Sequence, residues 1–364
     1  MSLQCGIVGL PNVGKSTLFN AISTGKAEAA NYPFCTIEPN VGVVTVPDER
    51  LDVLTKLVNP QKVIPTIIEF VDIAGLVKGA SQGAGLGNKF LANIREVDAI
   101  VHVIRCFEDE NILREEGEIN PVSDKEIIDT ELQLKDLESV EKKMQRYEKI
   151  AKNDPKAKRV YDVLVQCKEH LYQGKNIRAL KLEGEDFEAV ADLFLLTQKP
   201  VLYVANIDEA SIHTGNKYSE ALVKVAKEEG AQVIVMNNTI EAQISEMENA
   251  EDKEMFLGEY GLKEPGLNRL IRAAYELLNL ITYFTAGVQE VRAWTIHRGW
   301  KAPQAASVIH TDFEKGFIKA ETIAYNDYVT FKSEAACREN GKLRIEGKEY
   351  IVQDGDVLHF RFNV

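Results

Sequence analysis

Cysteine and histidine are scarce in this sequence, and neither is spaced for metal binding. The five cysteines among 364 residues are scattered, odd in number and never form a Cys-x-x-Cys pair. This distribution argues against a disulfide framework and against a structural zinc site, so we expect reduced, buried thiols. The six histidines lack ligand spacing, and no nucleophile stands beside a base. Metallohydrolase and triad-type hydrolase chemistry therefore has no support.

Long hydrophobic runs are also missing. No apolar run approaches the roughly 18 residues that a membrane-spanning helix needs. The N-terminal stretch "MSLQCGIVGLPN" has no basic region followed by an apolar one, which a secretory signal would require. We therefore expect a cytoplasmic protein without a membrane partner.

The chain lacks an excess of positive charge. Its net charge of −13 argues against coating nucleic acid by bulk attraction, although a local basic face is compatible with it. Residues 281–364 contain 11 basic and 11 acidic side chains, so residues 1–280 carry the whole negative excess. We expect an anionic partner to bind the C-terminal segment rather than the acidic body.

The hydrophobic pattern divides the chain into three parts. Short apolar runs alternate with amphipathic segments over residues 1–125 and resume after about 196, which predicts βαβ units around a mostly parallel sheet. Residues 126–195 instead show apolar positions at three- and four-residue spacing on both sides of the breaker "NDPKAK". These positions are Leu137, Val140, Met144, Tyr147 and Ala151, then Val160, Leu164, Cys167 and Leu171. The spacing predicts an antiparallel coiled-coil hairpin, either a protruding contact arm or a charged pair on the domain's own surface.

The domain prediction follows from this pattern. Residues 1–125 and 196–280 form a nucleotide-binding domain, residues 126–195 form the inserted hairpin, and residues 281–364 form a small domain of mixed sheet and helix.

A phosphate-binding motif lies at the start of the chain. "GLPNVGKS", from Gly9 to Ser16, fits G-x-x-x-x-G-K-S between an apolar strand and a helical segment. Its glycines let backbone amides turn toward an anion at a helix N-terminus. We expect the phosphates to be bound by Asn12, Val13, Gly14, Lys15, Ser16 and Thr17. The alternative is a glycine-rich turn with a surface lysine, which the flanking strand and helix disfavour.

Two further motifs complete a magnesium and γ-phosphate site. "FVDIAG" places Asp72 at a strand end, where it can hold Mg²⁺ together with the Ser16 hydroxyl, and the Gly75 amide can bond the γ-phosphate. In "NYPFCTIEPN", Thr36 can complete the magnesium shell, although a lone loop threonine is usually a turn residue. The predicted metal ligands are thus Ser16, Thr36 and Asp72. The predicted catalytic residues are Lys15, Thr36 and Gly75.

In this order the motifs "GLPNVGKS", "PFCTIEPN", "DIAGLVKGAS", "NIDE" and "AWTI" to "DGDV" closely resemble the YchF family, the Obg-like ATPases. The resemblance extends over essentially the full length. It implies an α/β P-loop NTPase fold, with a GTPase-like G domain, an inserted helical coiled-coil hairpin and a C-terminal β-grasp TGS domain. It also implies a preference for ATP and a link to ribosomes and stress responses.

The base-recognition motif departs from that of GTPases. In their N-K-x-D motif the aspartate binds guanine, whereas this chain has Asn206, Ile207, Asp208 and Glu209. The Asn206 amide offers a donor and an acceptor that suit adenine. We predict that Asn206, Ile207 and Glu209 contact the base, with ATP bound more tightly than GTP. Asn237 and Asn238 are weaker candidates for the second base loop.

Hydrolysis is predicted to be slow. Ras-like enzymes place a water-orienting glutamine after the D-x-x-G glycine, and this chain has Leu76 there. A rate below about 1 s⁻¹ is expected unless another residue, a cation or a partner assists. Asn12 matches a potassium-binding asparagine of similar GTPases, so K⁺ is a candidate cofactor beside Mg²⁺, but Asn12 can equally be a turn residue. The glycine-rich loop after Leu76 is predicted to be a mobile switch segment.

Three functional hypotheses remain open at this stage. The first is a slow, Mg²⁺-dependent ATPase switch, a monomer, that binds the ribosome (the 70S particle or its subunits, RNA or protein) through the TGS domain and the hairpin. The second is an ATP-sensing adaptor that regulates a client protein with little turnover. The third is an Obg-type GTPase. The basic and aromatic side chains proposed to meet the ribosome, or else to form a solvated rim, are Trp294, Arg298, Trp300, Lys301, Lys315, Lys319 and Lys332.

Overall fold

The structure, a computed structural model, describes residues 3–24, 40–74, 86–109 and 118–363. The chain divides into two compact units. The first contains the N-terminal segment and Glu69–Leu270, and the second contains Val43–Ile68 and Ile271 onward. Each unit has its own sheet.

The strands of both units are short, and most match apolar runs in the sequence. In chain order they are β1 (Gln4–Val8), β2 (Val41–Thr45), β3 (Lys62–Ile64), β4 (Ile67–Asp72), β5 (Ala99–Cys106), β6 (Val201–Ile207), β7 (Gln232–Met236), β8 (Leu280–Ala286), β9 (Glu290–His297), β10 (Phe317–Ile323), β11 (Arg344–Glu346) and β12 (Val357–Phe362).

The α-helices vary from one turn to eight turns. They are α1 (Lys15–Thr24), α2 (Glu49–Val58), α3 (Leu86–Glu96), α4 (Pro121–Ile150), α5 (Pro155–Tyr172), α6 (Gly184–Ala191), α7 (Lys217–Glu228), α8 (Asn238–Glu246), α9 (Ala250–Glu259), α10 (Gly266–Leu277), α11 (Ala302–Ser307), α12 (Thr311–Lys315), α13 (Tyr325–Phe331) and α14 (Glu334–Glu339).

The sheet of the first unit has the order β2-β4-β1-β5-β6-β7 among the described strands. Strand β1 pairs in parallel with β4 and β5, and β5, β6 and β7 continue the parallel pairing. All eight residues of β5 and all seven of β6 are buried. Helices cover both faces of such a sheet, which explains why these strands are continuous apolar runs. The predicted mostly parallel α/β fold is confirmed.

The predicted helical hairpin is present. Helix α4 is capped by Asn120, whose side chain accepts a hydrogen bond from the Ser123 amide, and α5 is capped in the same way by Asp154. A proline follows each cap, where its fixed φ suits the first helical position. The helices enclose a small core that includes Val140, Leu164, Cys167 and Leu171. Helix α4 begins at Pro121, before the predicted boundary at 126, and its first turns pack against the sheet through Ile128 and Leu132.

The sheet of the second unit has the order β11-β10-β12-β8-β9-β3. An antiparallel β8-β9 hairpin lies beside a central β12 that is parallel to β8. This is the strand order of the β-grasp fold that the resemblance implies. Side chains alternate between two cores along each strand, so Tyr283 packs with α11 while Phe284 packs with α2 and α13.

Within residues 1–125, helix α2 and strand β3 pack with the strands of the second unit. Strand β3 pairs with β9, and Leu51 and Leu54 of α2 are buried against Phe284 and Val291. The sequence pattern does not predict this packing, because the segments that pair are more than 200 residues apart in the chain.

In the part of the chain that the structure describes, no helix combines the length and the apolar character needed to cross a bilayer.

Candidate nucleotide-binding site

The predicted phosphate-binding loop connects β1 to α1. Asn12 and Gly14 both have positive φ, 61° and 90°, so the chain turns sharply before the helix starts at Lys15. Glycine is needed twice. A Cβ on Gly9 would lie 2.8 Å from the Val103 carbonyl oxygen, and one on Gly14 would overlap the side-chain amide of Asn206. The first turn of α1 closes as the Leu18 amide donates to the Gly14 carbonyl at 3.0 Å.

Lys15 and Asp72, predicted from separate motifs, are in direct contact. The Lys15 ammonium donates to Oδ1 of Asp72, and the two side chains are only 11% and 26% exposed. Ser16 lies exposed in the same first turn of α1. A hydroxyl and a carboxylate are hard oxygen ligands that fit Mg²⁺, which needs few protein ligands because it keeps several waters and phosphate oxygens. Lys15 would then be released toward the phosphates.

Among the described residues there is no group of three or more His, Cys, Asp or Glu side chains able to hold a metal. Thr36 and Gly75, the other predicted ligands of magnesium and γ-phosphate, lie outside the described residues, as do Leu76 and the glycine-rich loop.

Asn206 lies beside the phosphate-binding loop, and both polar atoms of its side chain are engaged. Its Nδ2 donates to the Val13 carbonyl at 3.0 Å, and its Oδ1 accepts from the Asn238 amide at 3.0 Å. The residue is only 6% exposed at the end of β6. These bonds brace the loop. The base contact predicted for Asn206 stays a prediction.

Asn238 makes a second hydrogen bond that holds the phosphate-binding loop. It is fully buried at the start of α8, and its Nδ2 donates to the Gly14 carbonyl at 3.0 Å. Its Oδ1 has no hydrogen-bond partner among the described groups. Asn237 caps α8 by accepting from the Ile240 amide and also donates to the Ile207 carbonyl at 2.7 Å.

The sequence predicts this asparagine pair near the base, but it does not predict the contact of Asn238 with the Gly14 carbonyl of the loop. The available signal was the position of two asparagines between a strand and a helix, where Asn favours a cap.

The other residues predicted to contact the nucleotide base lie in different surroundings from Asn206. The Ile207 side chain is 2% exposed and packs in the core of the first unit. Glu209 starts a 3-10 turn, Glu209–Ser211, and accepts a hydrogen bond from the Tyr260 hydroxyl at 3.1 Å. That hydrogen bond raises the pKa of Tyr260. Asp208 accepts from the Ser211 hydroxyl at 2.9 Å and therefore shapes the turn.

The other P-loop predictions are placed as follows. The Val13 side chain is 3% exposed, so only its backbone faces the site, while Asn12 is exposed. The left-handed conformation of Asn12 favours its role as a turn residue, since Asn tolerates that region. Thr17 follows Ser16 in the first turn of α1.

His102 is a core residue. It is 2% exposed within β5, and burial lowers its pKa to about 4, so it is neutral at neutral pH. Its Nε2 has no hydrogen-bond partner among the described groups.

A glycine-containing loop between a parallel strand and a helix, with Lys15 meeting a strand-end carboxylate, defines a P-loop nucleotide-binding protein with a GTPase-type G domain. Two protein-family models also match parts of this chain. One described as a 50S ribosome-binding GTPase matches residues 4–144. Another, YchF-GTPase_C, described as a protein of unknown function, matches residues 280–363.

Relatives that match over the full length identify the family more specifically than the family models do. The chain is 57% identical to a protein of Haemophilus ducreyi, 55% to one of Escherichia coli O157:H7 and 55% to one of Bacillus subtilis, each alignment covering 100% of both chains. All three are named ribosome-binding ATPase YchF. The solved structure of the Schizosaccharomyces pombe YchF GTPase aligns with a TM-score of 0.90 at 40% identity, covering 99% of this chain and 98% of that one. The chain belongs to the YchF family.

Proposed function

We propose that this protein is a slow, Mg²⁺-dependent ATPase that acts as a nucleotide-dependent switch on the ribosome. The observation that carries the proposal is the contact between Lys15 and Asp72 at the N-terminus of α1. This contact brings an ammonium and a carboxylate together at a helix N-terminus, which favours an anion, and so supports the proposal that Lys15 binds phosphate and Asp72 binds Mg²⁺. The names of the full-length relatives support both ATP and the ribosome as partners.

The preference for ATP is argued from the base-recognition residues. Where a GTPase has an aspartate for guanine, this chain has Glu209, and the lysine position is the buried Ile207. A site that no longer fits the polar edge of guanine loses the discrimination that this fit supplies. Calorimetric titration with ATP and with GTP tests the preference. Tighter binding of GTP would replace the proposal with an Obg-type GTPase.

Phosphate binding is tested separately. We expect Lys15→Ala to reduce the affinity for both triphosphates by at least about tenfold, since a charge-assisted hydrogen bond contributes roughly 1.5–3 kcal/mol. Lys224→Ala, an exposed lysine on α7, is the control. Undiminished triphosphate affinity in Lys15→Ala would remove the basis of the proposal.

Slow turnover follows from Leu76, because a leucine cannot orient the attacking water. A single-turnover assay with and without ribosomes distinguishes a switch from an adaptor. Faster γ-phosphate release on ribosomes supports the switch. An unchanged rate at saturation favours the ATP-sensing adaptor.

Ribosome docking through the TGS domain is best tested with point variants of the full chain. Deleting residues 281–364 would leave Leu51 and Leu54 of α2 without their core, because both pack within the second unit. Arg298, Lys315 and Lys332 are exposed in this unit. We expect their combined replacement by Gln to weaken co-sedimentation with ribosomes while ATP binding is retained. Unchanged pelleting would exclude these side chains from the contact.

A further inference from the structure

A groove lies on the surface of the first unit, between α7 and the loop that joins α9 to α10. Its volume is about 800 Å³. Side chains from α7, from the loop before it, from β7 and from the start of α10 line the groove. Among the described residues, none of the phosphate-binding loop lines it. The groove is therefore a feature separate from the phosphate-binding site.

The bottom of the groove is aliphatic. The side chains that form it are Ile212, Val223, Val235 and Leu262, and we call them the aliphatic floor. Val223 is 41% exposed, whereas its neighbour Leu222 on α7 is buried in the core of the first unit. The other three floor residues are half-buried. Aliphatic side chains gathered in one open groove favour a partner that covers them.

The edges of the groove are basic, although the chain is acidic. Lys224 and Lys227 of α7 and Lys263 of the opposite loop line the groove and are exposed, and we call them the basic rim. Within the described ranges, none of the three forms a salt bridge. Two carboxylates, Glu220 and Glu264, line the same groove. Lysines therefore outnumber carboxylates here, in a chain whose net charge is −13.

The position of Arg269 argues against a partner that binds as an added strand. Strand β7 ends the order of the described sheet, and an edge strand can receive another strand. Arg269 already uses one backbone acceptor of β7, because its Nη2 donates to the Val235 carbonyl at 3.0 Å. An α-helix needs no backbone acceptor from the groove, and it presents apolar side chains at every third or fourth residue. The groove therefore fits a helix better than a strand.

We propose that this groove binds an acidic amphipathic helix of a partner protein. The apolar face of such a helix packs on the aliphatic floor, and its carboxylates pair with the basic rim. Repulsion from the rest of the acidic chain is screened beyond about 8 Å at physiological salt, so the rim acts locally. RNA fits less well, because its backbone needs no apolar floor and its bases stack on aromatic rings. No Phe, Tyr or Trp is among the described residues that line the groove.

The inference does not rest on the proposed ATPase activity or on the proposed association with the ribosome. Its test uses the full chain and a fluorescein-labelled synthetic peptide of about five helical turns, with leucines at helical spacing and glutamates on both sides of them. Anisotropy titrations compare this peptide with one that has serine in place of each leucine. We expect the wild type to bind the serine peptide at least about tenfold more weakly, since the aliphatic floor then loses its apolar partner.

Two variants of the protein separate the charges from the floor. Replacing the three lysines of the basic rim by Gln should lower the affinity for the leucine peptide at least about fivefold, since each exposed ion pair contributes only modestly. Val223→Asp should lower it at least about tenfold, because the new carboxylate lies in the aliphatic floor and repels the glutamates of the peptide.

Each variant has a matched control. Replacing Lys152, Lys156 and Lys175 by Gln removes three exposed lysines elsewhere in the first unit and gives the same change in net charge. Val288→Asp makes the same substitution at a valine that is 70% exposed in the second unit. Both controls should keep wild-type affinity for the leucine peptide. Melting temperatures from circular dichroism, which should stay near that of the wild type, show that all four variants are folded.

Several results would overturn the proposal. The wild type not binding the leucine peptide is one, and equal affinity in the basic-rim variant and its lysine control is another. Equal binding of the leucine and serine peptides would mean that the groove attracts charge alone. A labelled RNA duplex that the basic-rim variant loses and Val223→Asp retains would assign the groove to nucleic acid instead. A wild-type dimer in sedimentation that Val223→Asp dissociates would make a second copy of this chain the occupant.

Discussion

Single residues hold the phosphate-binding loop in place from outside the loop. The side-chain amides of Asn206 and Asn238 donate to the carbonyls of Val13 and Gly14, each at 3.0 Å. The carbonyl groups thus point toward the buried asparagines, and the loop amides are left for an anion. Both asparagines are almost completely buried, so the bonds are shielded from water and each is costly to remove.

Asn206→Ala tests this bracing role against direct contact with the base. The substitution leaves the Val13 carbonyl and the Asn238 amide unpaired, which costs about 1–3 kcal/mol for each buried group. We therefore expect ATP and GTP affinities to fall together, measured by calorimetry, and the melting temperature to drop. Asn249→Ala, which removes an exposed cap of α9, is the control for a lost Asn hydrogen bond and should leave nucleotide affinity unchanged. A loss confined to ATP would instead assign Asn206 to the adenine ring.

Gly14→Ala tests the close packing of the loop. The added methyl group would overlap the Asn206 amide, and φ is 90°, a conformation that alanine adopts only with strain. We expect nucleotide binding to be lost or reduced by at least about tenfold, because the loop amides must move. Gly230→Ala is the matched control, since φ is 71° there but no atom lies within 4 Å of the new Cβ. It should cost stability by about 1–2 kcal/mol without changing affinity. Equal affinities for the two variants would contradict a steric role for Gly14.

At the scale of elements, α4 connects the helical hairpin to the sheet through a buried carboxylate. Asp136 has no exposed surface and accepts hydrogen bonds from the amides of Leu196 and Thr197 at 2.8 and 2.7 Å. Burial raises its pKa, although these hydrogen bonds act in the opposite direction. Leu196 and Thr197 begin the short turn that leads from the hairpin back to β6, so one side chain of α4 sets where the sheet resumes.

Asp136→Ala should therefore destabilise the turn that leads from the hairpin back to β6. Two buried amides and the Thr197 hydroxyl lose their acceptor, for which we expect a destabilisation of about 2–5 kcal/mol. Hydrogen exchange should accelerate in residues 195–199 and at the start of β6. Asp162→Ala on α5 provides the comparison, because that carboxylate is 61% exposed in a 3.7 Å surface pair. A surface pair of this kind contributes about 0–1 kcal/mol. Similar exchange rates in both variants would show that Asp136 does not hold the turn.

At the scale of the whole molecule, the second unit recruits a segment from early in the chain. Helix α2 places Leu51 and Leu54 in one core with Phe284, Val291 and Val357. Arg50 of the same helix forms hydrogen bonds with the carboxylate of Asp354 at 3.0 and 3.2 Å. The sheet of the second unit is therefore completed by strand β3, and one of its cores is completed by helix α2.

Leu54→Ala tests this assignment. Leu54 is fully buried, and its truncation in a packed core should cost about 2–5 kcal/mol. We expect hydrogen exchange to increase in β8, β9 and β12 while the strands of the first unit keep their protection. Leu202→Ala, a fully buried leucine of β6, should give the opposite pattern. The assignment of α2 would be wrong if Leu54→Ala deprotected β6 instead.

Much of the candidate site could be predicted from sequence because its signals are local. The strand, the glycine turn and the helix of the phosphate-binding loop span 21 consecutive residues, from Gln4 to Thr24, and their backbone preferences act at short range. The helical hairpin could be predicted equally well, since capping residues and apolar spacing mark its helices. The braces from Asn206 and Asn238 were missed because an asparagine at a strand end fits a cap, a turn or a ligand contact equally well.

By itself, the amino-acid sequence determined the P-loop, the parallel strands, the helical hairpin and the family, because each rests on neighbouring residues or on ordered motifs. Tertiary structure alone decided that Asn206 bonds Val13, 193 positions away, and that β3 pairs with β9. The physical reason is that hydrogen bonds and apolar packing depend on distance in space. Two segments far apart in sequence compete with every other exposed strand or polar group until the chain has folded.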